Sequence, residues 1–546
     1  MNKSLQNLID KHDIISFDIF DTLVKRNVKS PSDLFYVIQR RYNEKHSRDQ
    51  INDFPQKRQR AMELAKPEGK SEITFDDIYR IIDYNKKTAT ELKKIELQTE
   101  LDYCQRNIAI DEIFDYCQKK QVICISDMYF GEKFIRKMLQ KCGYNIDKIY
   151  VSSEYGYTKR DGELFEIVKK DLKVAGSDIL HIGNDKVSDF ISPMKHGLAA
   201  WKIKTVPNHF QIGSYRSNEY DLNKKGELDK DIIDSVINDN ILKCANYYEK
   251  FGYQVMGPFI YSFVRWIYTT AKENNIKSLL FCARDTWMEQ KVFNELYGKE
   301  ISNCYFYVSR KSVCIISLYL HNDFDSLSKI VLTIDHSKRT GKKILSSIGV
   351  NFKQTLESKK IFDLDKKYVV TELADDQNFH KFYDKYLKDY INKKGKEQSA
   401  YLKKYIDDVT VKGKIALVDN GWRGTTQAIL MDFLDCPVNG LYIGARDKQK
   451  SLKKGNYYTF MFDEDMNYIK RLGAFLDLFE LFLSAQHGTT LGYTSSRKGY
   501  YITAKAPAEN PVITDIQNGA MKFCDDIKNT MTISNRRMVK NTLRCY

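Results

Sequence analysis

The sequence predicts an α/β protein of at least two domains, and three observations lead there. Its 546 residues exceed what a single core usually serves. In both halves short apolar runs alternate with helical patterns, and these runs stop abruptly in acids, hydroxyls or cations. From Lys204 to Asp239 the chain turns polar with no strong period, which makes 206–239 the expected linker between domains at 1–205 and 240–546.

The first strand is Ile15-Ser16-Phe17, running into Asp18-Ile19-Phe20-Asp21-Thr22. A carboxylate fixed at the C-terminal end of a buried strand sits where open α/β sheets hold their ligands. It can attack phosphorus and carry it as an acyl phosphate. About 100 residues then separate Thr22 from Val122, while about 30 separate Ser126 from Lys159. The long insert holds apolar residues three and four apart, as in Asp33 to Ile38 and Ile108 to Cys117. It predicts a helical cap over about 30–107 that excludes water and selects substrate. A helical domain that only packs on the sheet edge is the alternative.

The next strand, Val122 to Ile125, ends in Ser126 and Asp127, and the Ser126 hydroxyl suits a phosphate oxygen. Ile149 to Ser152 is followed by Thr158-Lys159-Arg160, where Lys159 is placed to neutralise a transferred phosphoryl group. Ile179 to Gly183 ends in Asn184-Asp185, with Asp189 close behind. Mg²⁺ takes one or two protein carboxylates plus substrate oxygens, which suits this set. Any one of these segments is equally a capped turn. Four in this order point to a phosphate site.

With these four motifs, roughly residues 10 to 202 resemble the haloacid-dehalogenase-like phosphatases. The resemblance implies a Rossmannoid fold with Asp18 as nucleophile, Ser126 as phosphate ligand and Lys159 as charge partner. It implies Mg²⁺ held by Asp18, the backbone carbonyl of Phe20, and Asp185 and Asp189. Two departures stand out. The second aspartate usual in such phosphatases, two residues after the nucleophile, is here Phe20, and the acid comes one later, at Asp21. Dehalogenases of the superfamily also lack that second acid. The last motif reads Gly-Asn-Asp where Gly-Asp-Asn is common.

Composition narrows the classes. No apolar run approaches a membrane span, and Asp10 and Asp13 beside the first apolar residues speak against a secretory signal. The eleven cysteines are scattered without a close Cys-x-x-Cys pair, the pattern of reduced thiols in a cytoplasmic protein rather than of disulfides or zinc. The nine histidines form no i, i+4 pair, and His181 on an apolar strand reads as a packed residue. A net charge of +15 reads first as a solvated Lys-rich surface, with anionic substrates or an anionic membrane face as alternatives. Arg536, Arg537, Lys540 and Arg544 make a candidate basic tail. No nucleic-acid recognition motif is present.

In the second half Val255 to Ala271 reads as an aromatic-rich helix and Asp376 to Tyr405 as mostly helical. Ser278 to Cys282, Tyr305 to Val308 and Ile415 to Val418 read as strands, and each ends in polar chemistry. The first gives Arg284 and Asp285, the second Ser309, Arg310 and Lys311. The third gives Asp419-Asn420-Gly421-Trp422-Arg423-Gly424-Thr425-Thr426 and then a helix. An acid for sugar hydroxyls, loop amides, threonine hydroxyls and a helix N-terminus together suit a sugar phosphate. The loop lacks the Gly-Lys-Ser/Thr ending of a Walker loop. The plainer alternative is a strand-to-helix turn capped by threonine.

This loop resembles the phosphoribosyl-pyrophosphate loop of phosphoribosyltransferases, compressed and with Asn420 where a second acid is usual. Fused behind a phosphatase, it is similar to the dual-domain ribofuranosyltransferases of bacterial polysaccharide assembly, a likeness over nearly the whole chain. That resemblance implies transfer of 5-phosphoribose from phosphoribosyl pyrophosphate to a lipid-linked glycan, then removal of the 5-phosphate, in the cytoplasm with peripheral contact at the membrane. Transfer needs Mg²⁺ and cations on the departing charge, for which Arg284 and Arg310 are suited. Asp419, Asn420, Gly421, Gly424, Thr425 and Thr426 would complete the donor site. Asp285 is the expected base for the acceptor hydroxyl, with Glu480 the alternative. Arg310 reads equally as an ion-pair partner and Glu480 as the polar face of an amphipathic helix over Phe475 to Leu483. A nucleotide-sugar donor, or a noncatalytic docking module, remains open for this half.

Overall fold

The computed structural model describes residues 1–65, 71–203, 227–327, 337–422, 424–445, 456–463, 478–495, 500–528 and 530. The chain forms two compact units, Met1–Gln254 with Lys522–Thr542, and Val255–Met521.

In the first unit β1 (Ile14–Phe17) leads into a hairpin of β2 (Val24–Arg26) and β3 (Cys104–Arg106). β4 (Gln121–Ser126), β5 (Lys148–Val151), β6 (Ile179–Gly183) and β7 (Ala199–Lys202) follow. With β1 they make one parallel sheet in the order β5-β4-β1-β6-β7. All four residues of β1 are buried, as a parallel strand covered on both faces requires. Alternate side chains serve opposite layers: Ile15, Phe17 and Cys124 join one apolar cluster, Ile14, Ile123 and Ile125 the other. The strand order reverses at β1, where α/β sheets place their ligands.

The cap hangs between β2 and β3. It consists of helices Leu34–Lys45, Phe54–Leu64, Phe75–Ile81 and Lys86–Tyr103. At its centre Arg58 and Glu96, both fully buried, pair at 2.7 Å, and the Tyr79 hydroxyl donates to Glu96 at 2.6 Å. Removing either charge would strand the other, a loss of about 3–5 kcal/mol. The helical stretch from Ile108 to Cys117 lies beyond β3, outside the cap.

The expected linker needs correcting. Residues 204–226 lie outside the described residues, and Glu227–Asn240 is a helix. Leu228, Ile232, Ile233, Val236 and Ile237 recur at helical spacing and are buried. The acids that gave the stretch its linker-like composition are ion-pair partners: Asp229 meets Arg40 at 2.8 Å and Asp239 meets Lys25 at 3.1 Å. Asp231 accepts from the Lys29 amide at 3.3 Å. This helix therefore ties the cap and its hinge strand to the rest of the unit. Residues 240–254, expected in the second domain, group with the first.

The second unit opens with helix Gly257–Glu273 and carries β8 (Ile276–Cys282), β9 (Ser302–Phe306), the hairpin of β10 (Lys338–Thr340) and β11 (Lys367–Val369), β12 (Lys414–Trp422), β13 (Val438–Ala445) and β14 (Tyr457–Asp463). A last hairpin joins β15 (Thr490–Tyr493) to β16 (Tyr501–Thr503). β8, β9, β12, β13 and β14 form a parallel sheet in the order β14-β13-β12-β8-β9. Here the order reverses between β8 and β12. Among the described residues no helix is long and apolar enough to cross a membrane. The basic tail Arg536, Arg537, Lys540 and Arg544 lies outside the described residues.

Candidate active sites

In the first unit the chain leaves β1 at Asp18, whose amide donates to Ile182 O at 2.9 Å and so fixes the carboxylate between β1 and β6. Lys159 Nζ lies 2.7 Å from Asp18 Oδ1 and 2.6 Å from Asp189 Oδ1, with the lysine 2% exposed. Ser126, at the end of β4, donates to Asp18 Oδ1 at 3.3 Å. Thr22 Oγ1 lies 3.2 Å from both Asp18 Oδ2 and Asn184 Oδ1, and its one proton serves either. Asp18, Ser126, Lys159 and Asp189 thus meet within hydrogen-bonding distance, drawn from four strand ends.

One lysine faces two carboxylates, and the two respond differently. Burial pushes the Asp18 carboxyl up, against the pull of Lys159 and with a further push from Asp189. Burial opposes charge on Asp189 too, yet Lys159 and His181 hold that carboxyl well below the usual carboxylate range. His181 is buried, and burial lowers its pKa. The neutral ring bridges Ser16 Oγ at 2.9 Å and Asp189 Oδ1 at 3.2 Å, so it is a packed residue that orients Asp189. Gly183 permits this closeness, since a Cβ there would run into the Asp189 carboxyl.

The expected magnesium ligands do not all come together. Asp185 turns Oδ1 onto its own loop, accepting from Val187 N, Ser188 N and Ser188 Oγ at 2.9, 2.8 and 2.9 Å. Asp189 has both oxygens engaged, Oδ1 by Lys159 and His181 and Oδ2 by the Asp185 amide at 2.8 Å. Among the described residues no group of three or more His, Cys, Asp or Glu is arranged to hold a metal ion. What remains beside Thr22 is one carboxylate oxygen of Asp18 and the amide oxygen of Asn184, a donor pair that suits an oxygen-loving ion with few protein ligands.

Phe20 stands where the second acid is usual, its ring under the Arg26 guanidinium at 4.2 Å. Asp21 follows at φ 57°, a left-handed turn position that aspartate tolerates. It is exposed and lines a cavity shared with Asn184. Sequence reasoning missed Thr22, Asn184 and the Asp127 carboxylate, which accepts from the Lys159 amide at 2.6 Å. Each stood inside a quoted motif, but only side-chain direction shows its partner.

The second unit gathers its expected residues around one cavity of about 260 Å³. Arg284, Asp285, Arg310, Asp419, Asn420 and Glu480 line it, as do Gly421, Gly424, Thr425 and Thr426. Asp419 is still within β12, its Cα opposite Tyr442 of β13, because the strand runs on to Trp422. The chain then bends through Gly421 at φ 108°, where a Cβ would strike the Gly444 carbonyl, and Gly424 at φ 59°. Gly424 is the N-cap of helix Thr425–Leu434, and among the described residues no side chain caps it. The threonines occupy the first turn instead of capping it, so the helix presents uncapped amides to the cavity.

Acids crowd this cavity. Burial pushes the Asp419 carboxyl up to about 8, and Asp285 and Glu480 add to the rise. Burial also raises Asp285, whose Oδ1 accepts from Ser484 Oγ at 3.2 Å. Behind them lies Glu289, missed in the sequence although it stands one helical turn after Asp285. It is fully buried, neither carboxylate oxygen has a hydrogen-bond partner among the described residues, and burial with Asp285 and Asp419 raises it well above its ordinary value. Arg284 and Arg310 line the same cavity, where the charge of Arg284 pulls Asp285 down and that of Arg310 pulls Asp419 down, each against the larger effect of burial.

No family model matches the chain, and no curated protein matches it. Solved structures do match its N-terminal part. A 2-haloacid dehalogenase from Pseudomonas syringae pv. tomato is 14% identical over 38% of this chain and 91% of its own, with a TM-score of 0.28. A HAD-hydrolase from Bacillus subtilis bound to magnesium is 18% identical over 34% of this chain and 86% of its own, with a TM-score of 0.27. A HAD family enzyme from Bacteroides thetaiotaomicron is 14% identical over 37% and 98%, with a TM-score of 0.26. At such identities and TM-scores these likenesses carry no chemistry, which is read from the residues themselves.

Proposed function

We propose that the chain performs two successive steps on a sugar phosphate. Its second unit transfers 5-phosphoribose from phosphoribosyl pyrophosphate to a glycan hydroxyl, releasing diphosphate, and its first unit then hydrolyses the 5-phosphate. The observation that carries this reading is that two separate parallel sheets each end, at their point of strand reversal, in a site suited to phosphate.

In the first unit Asp18 attacks phosphorus, the ester oxygen leaves and takes a proton, and the acyl phosphate is cleaved by water to return the carboxylate and inorganic phosphate. Lys159 and Ser126 hold phosphoryl oxygens in line with Asp18, and Lys159 offsets the charge that develops on them. Asp21 is the proton carrier to the leaving oxygen. Mg²⁺ would be held by Asp18, the Phe20 carbonyl and Asn184, where it would supply positive charge beside the phosphate.

In the second unit the uncapped helix N-terminus and the threonine hydroxyls suit the donor 5-phosphate. Arg284 and Arg310 suit the departing diphosphate, and Asp419 the ribose hydroxyls. Asp285, raised by burial, has the elevated affinity for a proton that a base for the acceptor hydroxyl needs. The acceptor is read as a lipid-linked glycan at the inner face of the cytoplasmic membrane. A donor screen tests the whole: pentose phosphate should appear on the acceptor and then lose phosphate. Hexose transfer from a nucleotide sugar would replace the donor, and no transfer at all would leave a docking module.

Displacement at carbon is a second reading for Asp18, favoured by Phe20 in place of the second acid. Release of halide from a 2-haloacid, without release of phosphate from any phosphomonoester, would establish it.

A further inference from the structure

The first unit contains a larger cavity that no step above uses. It measures about 480 Å³, within the usual range for a small-molecule site of about 300–1,000 Å³. It borders the reaction centre through Asn184, which lines it and lies 3.2 Å from the Thr22 hydroxyl, itself 3.2 Å from Asp18 Oδ2. Asp21 lines it as well.

Its wall chemistry narrows the occupant. Lys25, Arg26 and Lys29 face Asp21, Asp234 and Asp239, three cations against three carboxylates. Lys25 pairs with Asp239 at 3.1 Å, Lys29 approaches Asp234 at 3.9 Å, and Arg26 is bound to Glu100 at 2.8 Å. The charges cancel locally, so the cavity has no excess of cations to draw a second anionic group. Nor is it apolar enough for a lipid chain. Asn184, Asn238 and Ser235 bring amide and hydroxyl groups to its lining, and Trp201, Ile110 and Ile113 bring apolar side chains. Hydroxyls need the first, and the C–H face of a sugar ring needs the second.

We infer that this cavity binds the uncharged sugar portion of the phosphomonoester whose phosphate lies on Asp18, Ser126 and Lys159. The helix Glu227–Asn240, which supplies Asp234, Ser235, Asn238 and Asp239, thereby becomes part of the substrate site of the first unit. This rests on the phosphatase reading of Asp18. It adds that substrate selection comes from a wall built after β7, as well as from the helical insert.

The experiment uses the full chain and two substrates, methyl ribofuranoside 5-phosphate and acetyl phosphate, the latter too small to enter the cavity. Ala109 lines the cavity from an exposed position, so Ala109→Trp fills it without a change in the core. Trp201→Ala removes the apolar wall. In both variants the ratio of kcat/KM for the sugar phosphate over acetyl phosphate should fall at least about tenfold, carried by KM. Unphosphorylated methyl ribofuranoside should inhibit the wild type competitively and lose that effect in Ala109→Trp. A wild type active on acetyl phosphate, with both variants keeping its ratio, overturns the sugar pocket alone. A wild type that releases phosphate from neither compound overturns the phosphatase reading and the pocket with it.

Discussion

The two units share an architecture and differ in how they balance charge. Each is a five-stranded parallel sheet with its acids at the point of strand reversal. In the first, a buried lysine already bridges Asp18 and Asp189 at 2.7 and 2.6 Å. In the second, Asp285, Asp419 and Glu289 crowd together, and burial raises all three carboxyls. A preassembled cation suits a site that must receive a phosphate dianion repeatedly. In the second, Arg284 and Arg310 line the cavity but do not outweigh burial, so its acids keep a raised affinity for protons, which suits groups that meet hydroxyls.

The largest expected effect removes the lysine's partner. Asp18→Asn lacks a nucleophile and should lower phosphate release by at least about 10³ while pentose-phosphate transfer continues, so that a phosphorylated product accumulates. Full phosphate release by the variant would sink the assignment. Asp419→Asn is the counterpart in the second unit: transfer should fall by about 10²–10³, with hydrolysis of a preformed phosphoribosyl substrate unaffected. Unchanged transfer would reduce the loop to a strand-to-helix turn.

Asp21→Asn keeps the left-handed turn, because asparagine also tolerates positive φ. Phosphate release should fall by about 10² if Asp21 carries the proton. A rate within a few-fold of wild type would show that Phe20 marks a missing acid.

Titration separates the units further. The raised Asp419 carboxyl binds its proton more tightly when folded. Its contribution to stability is full below the ordinary carboxylate range and is lost as pH rises through about 8. The carboxylate needed for transfer forms in the folded protein around that raised value, so the transfer rate should climb through about pH 8. A transfer rate already flat from pH 6 upward would contradict it. The smallest effect is on stability. Glu289→Leu removes an unpartnered buried acid and should stabilise the second unit by about 1 kcal/mol at neutral pH in denaturant titration. The gain should grow as pH rises, because only the wild type must then, on folding, protonate a carboxylate that is ionised in the unfolded chain.

Much of the first unit was legible because its chemistry sits at strand ends. Asp18, Ser126, Lys159 and Asp189 each follow an apolar run, and the sheet brings those ends together. Local turn chemistry hid the rest. Asp185 looks like a metal ligand in the sequence, yet the amides of Val187 and Ser188 compete for it and win. The helix Glu227–Asn240 escaped because its apolar stripe is diluted by acids whose ion-pair partners stand some 200 positions earlier, as Asp229 with Arg40 shows. In the second unit β13 and β14 went unread, and the strand expected to end at Val418 runs four residues further, to Trp422. Glu289 was legible in principle, four residues after Asp285 at the start of a helix. No pattern of spacing says that its carboxylate lacks a partner.

The chain enters the first unit twice. Residues from Lys522 return to it after the stretch Val255–Met521 of the second unit. Tyr253 donates to Asp526 at 2.7 Å, Lys243 meets Asp526 at 2.9 Å, and Asn27 donates to Thr530 Oγ1 at 2.7 Å. During synthesis, at about 5–20 residues per second, the N-terminal part must therefore wait roughly 13–54 s for those partners to emerge. A gene fragment ending at residue 254 would lack them altogether, whereas one that splices 522–530 behind residue 254 restores Asp526 and Thr530.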